Sequence, residues 1–190
     1  MLNFRSLCIS SVLLLSICPA WAGEISDAGA NAEQLAGDGE YIEALQALEA
    51  ARDAIWAQSP LTFRKTIFAA SDLVGFGAYD IRENTEFRRS EPLLIYTEPV
   101  GFAYGRDGQM FVMDMALDFE IKDASSGSVA KQENFASWTI RSRFPNKEFM
   151  GKINYDFSGL QPGDYSVITT VRDKNSDKTN SFSMSFKILP

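Results

Sequence analysis

From Phe111 to Lys122 apolar and polar side chains alternate with a step of two, and that step limits what the chain can build. Phe111, Met113, Met115, Leu117, Phe119 and Ile121 point one way, while Asp114, Asp118, Glu120 and Lys122 point the other. Successive side chains of a strand leave opposite faces, so the run describes a strand with one dry face and one wet face. The C-terminal end repeats it: Phe182, Met184, Phe186 and Ile188 alternate with Ser181, Ser183, Ser185 and Lys187. Less regular strand candidates occupy 62–70, 93–104 with a bend at Pro99, 135–143, 149–157 and 164–172. Turn residues separate them, among them Gly105-Arg106-Asp107-Gly108, Ser125-Ser126-Gly127, Pro145-Asn146 and 173–177. About seven antiparallel strands with no helical pattern between them predict a two-sheet sandwich over 61–190.

One local motif sharpens this expectation. Leu160-Gln161-Pro162-Gly163-Asp164-Tyr165 opens a strand that leads into the alternating final hairpin. It resembles the tyrosine corner at the start of the penultimate strand of immunoglobulin-like domains. The resemblance implies an immunoglobulin-like sandwich in which the Tyr165 ring packs inward and its hydroxyl turns back to nearby backbone. It covers six residues and carries a fold, not a function.

Upstream of Pro60 the period is different. Tyr41, Ala44, Leu45, Leu48, Ala51 and Ile55 make a stripe along one side of a helix, with Glu40, Glu43, Gln46, Glu49 and Asp53 on the other faces. Gly37-Asp38-Gly39 interrupts the pattern, which predicts two helices, at 26–36 and 40–58, in a hairpin over 23–60. Gly39, Tyr41, Ala44 and Ala51 resemble the turn and second helix of a single tetratricopeptide unit. Ala28, Asn31 and Trp56 depart from that motif. One such unit cannot bury its own apolar face. The stripe therefore either docks on its neighbour or receives a partner peptide.

Residues 1–22 read as a cleavable export signal. Arg5 precedes an apolar run from Leu7 to Ile17, and Ala20 and Ala22 put small residues at the exit. The run is shorter than the roughly 20 apolar residues that span a bilayer, so no membrane-spanning segment is expected after cleavage. Ile17 before Cys18 departs from the small residue that a lipoprotein signal needs there. Cleavage would remove both cysteines, Cys8 and Cys18, leaving 168 residues without cysteine or histidine. A cysteine-free exported domain fits a bacterial periplasm, or secretion from such a cell. Losing Arg5 and no acid moves the formal net charge from −7 to −8, and without a basic run nucleic acid is not an expected partner.

The missing histidine and cysteine exclude Ser–His–Asp and Cys–His chemistry and the usual zinc and haem ligands, and no cofactor is expected. Ser128-Val129-Ala130-Lys131 matches the Ser-x-x-Lys spacing of penicillin-recognising enzymes, but it stands in a strand connection instead of at a helix start. Asp173, Asn175 and Asp177 offer oxygens with the alternation of a calcium loop, yet Lys178 stands where that loop needs glycine. Asp114, Asp118 and Glu120 fall on the wet face of their strand. No catalytic or metal-binding residue is assigned.

Aromatic residues and arginines gather in the irregular segment 75–105 and just beyond it. Tyr79, Arg82, Phe87, Arg88, Arg89, Tyr96, Phe102 and Tyr104 form a candidate interaction surface, since such mixtures suit protein interfaces and sugar stacking alike. The competing reading is a long connection whose rings fill the sandwich edge. The sequence thus predicts a mainly β chain, an antiparallel immunoglobulin-like sandwich behind an α-helical hairpin. Its expected role is that of a non-enzymatic envelope protein with a protein partner, or a carbohydrate-binding module for polysaccharide.

Overall fold

The computed structural model describes residues 22–190, so the segment read as an export signal, apart from Ala22, and both cysteines lie outside the described residues. Two helices come first, α1 (Ala22–Gly37) and α2 (Tyr41–Gln58). Gly39 ends the first in the left-handed region (φ 85°). Its N–H donates to Ala36 O at 3.2 Å, and Glu40 N–H donates to Leu35 O at 2.9 Å. Those two bonds satisfy carbonyls that the last helical turn leaves open.

Nine strands follow: β1 (Thr62–Phe68), β2 (Glu86–Phe87), β3 (Leu93–Val100), β4 (Gly105–Asp107), β5 (Met110–Asp123), β6 (Ser128–Ser142), β7 (Gly151–Tyr155), β8 (Gly163–Asp173) and β9 (Thr179–Ile188). They form a three-stranded sheet, β1-β3-β7, and a larger one, β2-β9-β8-β5, with β6 and the short β4 also pairing β5. Pairing is antiparallel except between β2 and β9. The seven long strands correspond to the seven sequence candidates. β2 and β4 are additions, and β4 occupies part of an expected turn.

The core lies between the sheets. Leu93, Ile95, Ile153 and Tyr155 enter it from one side, and Met113, Leu117, Val167 and Phe186 from the other. Each fully buried large apolar side chain contributes roughly 1.5–3 kcal/mol. A polar pair at its centre is satisfied, Tyr155 Oη lying 2.8 Å from Thr169 Oγ1 across the two sheets.

Two irregularities set the strand ends. Pro99 sits within β3 opposite Phe63, and the register shift between Phe63 and Thr66 is a bulge in β1 that accommodates a residue without an N–H. The chain turns at Gly101, not at Pro99. Gly101 has φ 82°, and a Cβ there would lie 2.3 Å from the Pro60 carbonyl oxygen. Only glycine meets both demands.

The chain divides into two compact units, one ending at Asp53 and one running from Ala54 to Pro190. The second therefore includes the last turn of α2. Trp56 Nε1 donates to Phe102 O at 2.8 Å, and Lys178 Nζ donates to Ala57 O at 2.9 Å and Gly101 O at 2.7 Å. At Ala57, a carbonyl of the last turn of α2, the ammonium is favourable electrostatically as well as through its hydrogen bond.

Candidate functional site

The eight residues predicted as one surface do not form one. Phe87 and Phe102 lie in the main core, and Tyr96 is fully buried in a smaller cluster with Ala69 and Leu73. Residues 69–81 fold over the outer face of β3, and rings fill the space beneath. Tyr96 donates to Glu98 Oε1 at 2.7 Å and accepts from Gly77 N–H at 2.9 Å. Burial, reinforced by donation to Glu98, pushes its phenol up to about 12. Tyr79 is half-buried, its ring centroid 4.3 Å from that of Tyr96. Tyr104 is half-buried as well and donates to Asn146 O, and desolvation pushes it up to about 12.

The arginines of this segment divide in the same way. Arg82 is half-buried: it pairs with Glu91 at 2.6 Å, donates to Glu86 O at 2.6 Å and lies over the Phe87 ring at 4.1 Å. Burial raises Glu91, but the Arg88 N–H and Arg82 bonds win and hold it below its ordinary value. Only Arg88 and Arg89 of the eight are exposed.

Asp118 and Asp114, on the β5 face predicted to meet water, are both engaged. Asp118 takes two bonds from Arg172, at 2.8 and 2.9 Å, and one from Asn134 N–H at 2.7 Å. The Arg172 bond dominates and holds Asp118 below the usual carboxylate range. Asp114 is lowered chiefly by Lys174, 2.9 Å away, and accepts from Thr139 too. A glycosidase acid needs the opposite shift, a carboxyl that keeps its proton near neutrality. Among the described residues the buried carboxylates are Glu98 and Asp173, and both have partners. Asp173 Oδ2 accepts from Ala103 N–H and Ser176 Oγ, each at 2.7 Å, and Oδ1 accepts from Asn175 N–H at 3.0 Å.

That carboxylate closes the β8–β9 turn, where Asn175 Nδ2 also donates to Val112 O at 2.9 Å. Oxygens already committed to three donors are poorly placed for calcium. Among the described residues no group of three or more acidic, histidine or cysteine side chains could hold a metal ion. Ser128 and Lys131 are exposed on β6, which is strand instead of helix start.

Aromatic rings elsewhere stack on one another. Phe135, Tyr155, Phe157 and Phe186 form a stacked series with interplanar angles of 17–27°.

The helical unit carries exposed large apolar side chains in sequence-neighbouring positions. Its buried apolar side chains are small, Ala32 and Ala44. The large members of the predicted stripe are outside: Tyr41 is 67 % exposed, Leu45 62 % and Leu48 49 %, with Ile42 beside them at 66 %. Tyr41, Leu45 and Leu48 stand at i, i+4 and i+7, one face of the helix. Among the described residues no helix is long and apolar enough to cross a membrane. Neither family models nor the curated proteins compared with the chain match it.

Proposed function

We propose that the protein is a non-enzymatic interaction protein of the bacterial envelope, exported to the periplasm, that docks a partner protein on the exposed face of α2. The observation that carries this reading is the row Tyr41, Leu45 and Leu48 with Ile42, large apolar side chains left in water. Such rows are where amphipathic partners dock. Export is the reading of residues 1–22, supported by a downstream sequence free of cysteine.

The sandwich is the rigid carrier in this proposal, and we read it as immunoglobulin-like. The orders β1-β3-β7 and β9-β8-β5-β6 are those of strands A-B-E and G-F-C-C′ in such domains. Tyr165 Oη donates to Gln161 O at 2.9 Å, as a tyrosine corner requires, and its ring stacks on Phe186. Both support the reading.

The test is affinity capture from an envelope extract, with Leu45→Glu/Leu48→Glu compared with the parent chain. The expected result is loss of the captured protein with unchanged circular dichroism and melting. Equal capture by both chains would overturn docking through α2.

A further inference from the structure

We infer that the partner element is a cationic amphipathic helix of another protein, an inference that rests on the docking face proposed above. The acidity of the chain is concentrated there. Between Gly23 and Gln58 stand eight acidic residues against one basic residue, Arg52. Residues 59–190 hold seventeen acidic and sixteen basic side chains, so they are close to neutral. The helical segment thus supplies nearly all of the net negative charge.

Part of that charge borders the apolar row. Glu49 is exposed on α2 four residues on from Leu45, and Glu40 and Asp38 are exposed in the turn before the helix. An oily row in an anionic field selects its occupant twice. The row asks for apolar side chains at steps of three and four, and the field asks for lysines or arginines flanking them. A second copy would bring a like-charged face against this one, and an anionic lipid surface would be repelled in the same way. A basic helix satisfies both requirements.

The test uses protein purified in its exported form and synthetic peptides of about 18 residues, long enough to sustain a helix. One peptide has a leucine stripe flanked by lysines, a second keeps the stripe with glutamates in place of the lysines, and a third scrambles the first. Fluorescence anisotropy should show binding of the first alone, weakened by raising salt from about 0.05 to 0.5 M. Glu40→Lys/Glu49→Lys should weaken it by about tenfold or more, and so should Leu45→Glu/Leu48→Glu. The second variant is decisive, because added acid would strengthen a purely electrostatic attraction.

Binding that survives Leu45→Glu/Leu48→Glu unchanged would overturn both the docking face and the inferred occupant. Equal binding of the glutamate peptide, lost in that variant, would overturn the cationic partner and leave the docking face standing. A dimer in sedimentation that this variant dissociates, or capture by vesicles of anionic phospholipid, would overturn the inference in favour of a second copy or a membrane.

Discussion

Replacing Asp173 with alanine removes the acceptor that joins the β8–β9 turn to the backbone at Ala103. Three donors converge on this buried carboxylate: Ala103 N–H, Ser176 Oγ–H and Asn175 N–H. The serine hydroxyl can rotate toward water and recover most of its bond. The two backbone N–H groups are fixed, and each costs about 1–3 kcal/mol when left without a partner. Asp173→Ala should therefore lose about 2–4 kcal/mol, a large part of the roughly 5–15 kcal/mol that holds a typical domain. Asp173→Asn keeps one oxygen and turns a donor toward the other site, so about half that loss is expected. Urea unfolding followed by tryptophan fluorescence reads both, as a lowered midpoint at unchanged slope. Millimolar calcium should leave the parent midpoint unmoved. The reasoning fails if alanine costs less than about 0.5 kcal/mol, if asparagine costs as much as alanine, or if calcium raises the midpoint.

The other predictions concern neighbouring parts of the sandwich. Tyr165→Phe keeps the ring on Phe186 and loses only the bond to Gln161, so denaturant melts should show a loss of about 0.5–1.5 kcal/mol, and Tyr165→Ala distinctly more. Gly101→Ala should cost more than about 2 kcal/mol in the same assay, because a left-handed backbone and the Pro60 carbonyl both oppose a Cβ. Asp118 is depressed in the folded state, so its stabilising effect is present above its unfolded value and is lost as pH falls through the folded one. Acid melts should accordingly show stability falling below about pH 4, and less steeply in Asp118→Asn.

The fold was legible where chemistry is periodic. β5 and β9 alternate because one face of each meets the core and the other meets water, and the turn residues of Leu160–Gly163 marked the entry to β8, where Tyr165 Oη donates to Gln161 O. The two-residue β2 and three-residue β4 carry too few side chains for any period, and tertiary pairing alone defines them. β6 runs longer than its expected 135–143 because much of it is exposed at the sheet edge, where no buried face writes an alternation. The site was legible only in part. Local composition brought Phe87, Tyr96 and Phe102 together with arginines, but the chain carries those rings to two separate interiors. The same limit worked the other way for Tyr41, Leu45 and Leu48, whose spacing is visible in sequence while their exposure depends on what the fold leaves uncovered.

The most direct test of the docking face is site-specific photocrosslinking in living cells, with the photoreactive group placed at Leu45 and, as a control, at Phe144, an exposed aromatic on the sandwich. The account predicts a discrete crosslinked species of higher mass from Leu45 and none of that mass from Phe144. The same species from both positions, or from Phe144 alone, would contradict it.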